Sequence, residues 1–293
     1  MAFTIGIIQY SGAIPVFGIF GGGITTAVTT YTDKYTYSGD TVAAGTVLGL
    51  ARQGLAAIGN STVGIFGGGY TTANSAYTDK YTYSGDTVAA GTVLGLARQG
   101  LAATGNSTVG IFGGGYDTAN SAYTDKYTYS GDTVAAGTVL GLARRFLAAT
   151  GNSTVGIFGG GIAAVSSAYT DKYTYSGDTV VAGTVLGLVR DSLAATGNST
   201  VGIFGGGDAA PISAYTDKYT YSGDTVVAGT ILGLARYCLA ATGNSTVGIF
   251  GGGYTTTAYT DKYTYSGDTV AAGTVLGLAR YYLAACSSTA NGL

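Results

Sequence analysis

The phrase Gly-Ile-Phe-Gly-Gly-Gly begins at residues 18, 64, 110, 156, 202 and 248, so one unit recurs six times at a fixed spacing of 46 residues. Such a period marks a solenoid, propeller or array, whose units bury their apolar faces only against one another. A glycine cluster can also cradle a phosphate, but that reading fails here. A P-loop needs a lysine after its glycines and a helix to present backbone N–H groups. The residues that follow are Ile24, Tyr70, Tyr116, Ile162, Asp208 and Tyr254. The dinucleotide pattern G-x-G-x-x-G does not match either, and no 3.6-residue apolar rhythm follows.

Within the unit the punctuation predicts four strands. From Arg52 it reads "RQGLAAIGNSTVGIFGGGYTTANSAYTDKYTYSGDTVAAGTVLGLAR". "GLAA" is a short first strand, followed by a two-residue hairpin around Gly59-Asn60. "TVGIF" is the second, and its glycines let the next strand and blade approach closely and tolerate positive φ. "YTDKYTY" is the third, with Tyr77, Asp79, Tyr81 and Tyr83 on one face by period two. "SGD" turns the chain, with Asp86 bonding its own backbone, into a fourth strand, "TVAAGTVLGLA". The predicted fold is all-β: a six-bladed β-propeller of 46-residue, four-stranded repeats.

The order of small-residue first strand, glycine-ended second strand, tyrosine-bearing third strand and closing arginine resembles the kelch repeat over nearly the whole chain. Valine, as at Val88, stands where kelch repeats carry tryptophan. The resemblance implies that Arg98 and its equivalents support the fourth-to-first connection. The C-terminal "YYLAAC" matches a first strand and the N-terminal match begins near Val16 at a second strand, so the two ends are expected to complete one blade. Residues 1–13 are then an extension or extra strand, and 14–293 the propeller.

The copies differ mainly in two places. One is the loop after the glycines, from "ITTAVTT" and "YDTANSA" to the shorter "YTTTA"; the other is the pair after the closing arginine, from "QG" through "RF", "DS" and "YC" to "YY". Strand alternation puts both on one face and the constant "GNST" and "SGD" turns on the other. Varied loops on a constant scaffold are the pattern of a binding surface; neutral drift at tolerant positions is the alternative. Eighteen of 25 tyrosines belong to the template Y-x-x-x-Y-x-Y, and six of the other seven fall in the varied segments. The candidate ligand-binding residues are Tyr70, Tyr116, Asp117, Arg145, Phe146, Asp191, Asp208, Tyr237, Tyr254, Tyr281 and Tyr282.

Enzymatic chemistry has little material. Histidine and glutamate are absent, which removes Ser-His-Asp and Cys-His arrangements and imidazole metal ligands. Asp117 and Asp208 are the loop carboxylates, in non-adjacent copies. No catalysis, cofactor or metal is expected, and Cys238 and Cys286 occupy different template positions, so no disulfide framework is expected. Net charge is −2, with no basic patch for nucleic acid. Residues 1–32 lack a basic start, and Gln9, Tyr10, Ser11 and Pro15 break their apolar run, so neither a cleaved signal nor a membrane span is expected. The expected function is recognition of a glycan or protein surface, in a virion, phage-fibre or cell-surface setting. The alternative is a scaffold that docks through residues 2–10.

Overall fold

The computed structural model describes residues 16–289; residues 1–13, assigned above as an extension, lie outside that range. Among the described residues there are 24 strands in six four-stranded antiparallel sheets. β1 (Phe17–Gly21), β2 (Thr32–Thr36) and β3 (Thr41–Ala44) form the outer three strands of blade 1. Blade 2 is β4 (Ala56–Gly59), β5 (Val63–Gly67), β6 (Thr78–Thr82) and β7 (Thr87–Ala90). Blades 3 to 6 repeat it over residues 102–136, 148–182, 194–228 and 240–272. β24 (Ala284–Ser287) returns to pair with β1, Gly18 opposite Ser287 and Gly21 opposite Ala284. The ring is therefore closed by strands from the two ends of the described chain, as the repeat phase predicts. The innermost strands neighbour one another in an unbroken circle, which sets blade 4 opposite blade 1 across the axis.

Six equivalent apolar seams hold the blades together. Between blades 2 and 3, Ile65, Leu94, Leu101, Phe112 and Tyr127 are buried against one another. The close approach explains the glycine phrase: a Cβ on Gly67 would lie 2.9 Å from the ring of Phe112 in the next blade. Gly68 and Gly69 then leave the sheet at φ +70 and +101, which L side chains rarely adopt.

Two local expectations need correction. The fourth strand stops at Ala90 rather than running to the closing arginine. At Gly91 a Cβ would meet Thr78 Oγ1 at 2.7 Å and the Tyr127 hydroxyl at 2.8 Å, and Leu94 then leaves the blade edge to fill the seam with blade 3. The first turn centres on Ser61-Thr62, not Gly59-Asn60: the Asn60 N–H donates to the Val63 carbonyl, and its side-chain oxygen accepts from the N–H groups of Thr62 and Val63. The same side chain donates to the Ser107 carbonyl of the next blade, so the Asn-Ser-Thr triplet has a structural use.

The template polar residues also tie blade to blade. Asp86 sits at φ +49, accepts the Tyr81 hydroxyl, and accepts the backbone N–H of Thr46 in the preceding blade. Arg52, at the blade 1 exit, meets Asp79 of blade 2 at 2.8 Å, with both side chains fully buried. The equivalent pair recurs at all six junctions. Lys80 faces the other way, 3.8 Å from Asp132 of blade 3.

One sequence irregularity has a visible structural result. The last template tyrosine of a blade reaches back to a threonine hydroxyl in the preceding blade, as Tyr221 does to Thr150 at 3.1 Å and Tyr265 to Thr196 at 3.1 Å. Ile58 replaces that threonine opposite Tyr129, and the buried Tyr129 hydroxyl has no hydrogen-bond partner. An unpaired buried hydroxyl costs about 1–3 kcal/mol, so this seam is the weakest in polar pairing among those described.

Candidate recognition face

The two varied segments lie on one face and touch each other directly. The first residue after the closing arginine bridges the first residue after the glycines of the same blade. The six pairs are Tyr281 with Ile24, Gln53 with Tyr70, Gln99 with Tyr116, Arg145 with Ile162, Asp191 with Asp208, and Tyr237 with Tyr254. Each blade thus presents one two-residue tile at the rim of the axis.

The second residue of each post-arginine pair forms an inner ring. The N–H groups of Gly54, Gly100, Phe146, Ser192, Cys238 and Tyr282 each donate to the carbonyl of the preceding ring member, at 2.6–2.9 Å, and Gly54 closes the circle on Tyr282. The geometry requires a left-handed backbone at every member, and φ runs from +53 to +63. Glycine adopts this without strain; Phe146, Ser192, Cys238 and Tyr282 do so at a cost of order 1 kcal/mol each.

Those non-glycine members place side chains over the axis. The rings of Phe146 and Tyr282, from blades 4 and 1, meet with centroids 5.5 Å apart. From Tyr282 the contacts continue to Tyr281 at 5.4 Å, Tyr254 at 5.4 Å and Tyr237 at 5.0 Å. On the other side Arg145 lies over Phe146 at 5.8 Å and over Tyr116 at 4.9 Å. Seven of the expected residues therefore form one continuous row across the face: Tyr237, Tyr254, Tyr281, Tyr282, Phe146, Arg145 and Tyr116.

The remaining four fall into separate roles. Asp191 and Asp208 stand opposite each other in blade 5, beside the row. Asp191 is buried, and its carboxylate accepts from the hydroxyls of Ser166 at 2.7 Å and Ser192 at 2.9 Å. Asp117 caps its own loop through the N–H groups of Thr118 and Ala119, which hold its carboxyl below the usual range. Tyr70 sits in blade 2 against Gln53, outside the row. Ser192 and Cys238 complete the inner ring but were not singled out by sequence; their only signal was that they occupy the varied pair.

The axis itself is narrow. A cavity of about 60 Å³ lies between the inner ring and the leucines at 55, 101, 147, 193, 239 and 283. A second of about 120 Å³ is lined by those leucines and the innermost strands. Both are smaller than the roughly 300 Å³ at which small-molecule pockets begin. Cys238 and Cys286 form no disulfide and are buried, and burial pushes each thiol up to about 12.

No family model matches the chain, and no curated protein matches it.

Proposed function

We propose that this propeller is a non-catalytic recognition module that binds a carbohydrate across its varied face. The observation that carries the reading is the continuous aromatic row from Tyr237 to Phe146, extended by Arg145 and Tyr116. Aromatic side chains with polar tips give rigid contact area at low entropic cost, and their hydroxyls can exchange hydrogen bonds with sugar hydroxyls. The left-handed positions of Phe146, Ser192, Cys238 and Tyr282 favour selection over drift, because glycine would be more stable there. The repeat is read as kelch-like on its motif order and on the buried junction arginine. Display on a virion or cell surface suits a disc with one varied face and a constant opposite face.

The test is a glycan array probed with the parent and with Tyr281→Ala/Tyr282→Ala. Specific binding by the parent, reduced at least about tenfold in a variant of unchanged fold, is the expected result. A blank array from folded parent protein overturns the carbohydrate reading and turns attention to a protein partner.

A further inference from the structure

We infer that the contact is centred on a notch in blade 6, and that the notch takes a neutral rather than an acidic saccharide. The inference rests on the carbohydrate reading above. Five blades carry seven residues between the glycines and the third strand, as at 70–76; blade 6 carries five, 254–258. In those five the loop folds back and bridges its own first residue: Ile24 with Val28, Tyr70 with Asn74, Tyr116 with Asn120, Ile162 with Ser166, and Asp208 with Ile212. In blades 2 and 3 the loop asparagine also latches onto the next blade, Asn74 to the Asp117 carbonyl and Asn120 to the Ile162 carbonyl.

The blade 6 loop returns to the Gly253 carbonyl through the Thr257 N–H but makes no bridge to its own first residue. Tyr254 bridges only Tyr237 and is 40% exposed, whereas its counterparts Tyr70 and Tyr116 are half-buried. The shortened loop thus leaves one ring of the row exposed, with Tyr237 tilted against it and Tyr281 edge-on to it. Thr255 and Thr256 are exposed at its margin. The neighbouring tile is Asp191 with Asp208. This is an aromatic platform with threonine hydroxyls and the partly exposed Asp208 carboxylate at its edge, which suits the apolar C–H face of a sugar ring whose hydroxyls donate outward.

Charge selects the class. Each unit's two aspartates, one lysine and one arginine cancel, so the chain's −2 comes entirely from Asp117, Asp191, Asp208 and Arg145 on this face. Arg145 is engaged over Tyr116 and Phe146, in blade 4. The tile next to the notch carries only negative charge, which repels sialylated or sulfated sugars.

The experiment grafts the 70–76 loop, "YTTANSA", in place of 254–258. It keeps the tyrosine and restores the covering segment, and the same loop already folds on the same scaffold in blade 2. Parent, graft and Thr72→Ala, a change at an exposed residue of the blade 2 loop, are titrated with neutral oligosaccharides and with sialylated and sulfated ones. We expect the parent to bind neutral probes, the graft to lose at least about tenfold in affinity with an unchanged melting temperature, and Thr72→Ala to match the parent. A graft that binds like the parent overturns the notch while leaving the carbohydrate reading standing. Preferential binding of sialylated or sulfated probes overturns the neutral class alone. A parent that binds no saccharide removes the reading beneath both.

Discussion

Raising the pH from about 10 to about 12 is expected to unfold the ring cooperatively, because its seams are built from buried phenols. Tyr37, Tyr83, Tyr129, Tyr221 and Tyr265 are buried, and burial is the main cause holding each well above the ordinary phenol range. A folded-state pKa above the unfolded value gives stability that is complete below the unfolded pKa and is lost as pH rises toward the folded one. Each pH unit above about 10 therefore favours the unfolded chain by about 1.4 kcal/mol per group. Five such groups at pH 12 oppose folding by about 14 kcal/mol, comparable to the whole stability of a domain. The buried thiols act in the same direction above their unfolded pKa of about 8.5. Tyrosinate absorbance at 295 nm and far-UV circular dichroism should change together in one steep transition. Smooth ionisation of all 25 tyrosines near pH 10 with an unchanged dichroism spectrum would contradict the seam description.

Breaking one junction pair is expected to cost about 3–5 kcal/mol, since it strands a buried charge. Arg52 donates to the Phe66 carbonyl at 3.0 Å, pairs with Asp79, and stacks over Tyr77 with its guanidinium 5.2 Å from the ring centroid. Asp79 also accepts the Gly49 N–H at 2.7 Å, fastening the exit of blade 1 to the body of blade 2. Burial pushes the Asp79 carboxyl up and the Arg52 guanidinium down, and each partner's charge opposes that shift in the other. Arg52→Met and Asp79→Asn should each lower unfolding free energy by that amount in denaturant titrations. The double variant should cost less than the two together, by about 1–3 kcal/mol. Single effects below about 1 kcal/mol, the value of an exposed pair, would show that water reaches the junction.

The architecture was legible because it is written in short-range pattern repeated six times. The 46-residue period set the blade count, the phase of "YYLAAC" against Val16 set the closure, and the glycines foretold close approach and positive φ. What escaped depended on distant geometry or on one residue's rotation. The fourth strand looked continuous through Ala97 because its composition suits a strand, yet Gly91 is crowded by Thr78 and Tyr127 and the chain turns into the seam. The varied face was assigned by strand alternation, and its aromatic residues by count. That Phe146 meets Tyr282 follows from blades 1 and 4 facing each other across the axis, which no local window contains. The inner ring was invisible for the opposite reason: phenylalanine, serine, cysteine and tyrosine signal anything but a left-handed backbone.

The proposed division of labour is that the repeated template makes the ring and the varied face makes the contact. It is tested most directly with a symmetric ring of six copies of residues 52–97 carrying Ile58→Thr, assayed beside the parent on one glycan array. The symmetric ring, with glycine at every inner position, is expected to fold, to melt no lower than the parent and to capture none of the parent's saccharides. Equal capture by both proteins would place recognition in the template rather than in the varied face.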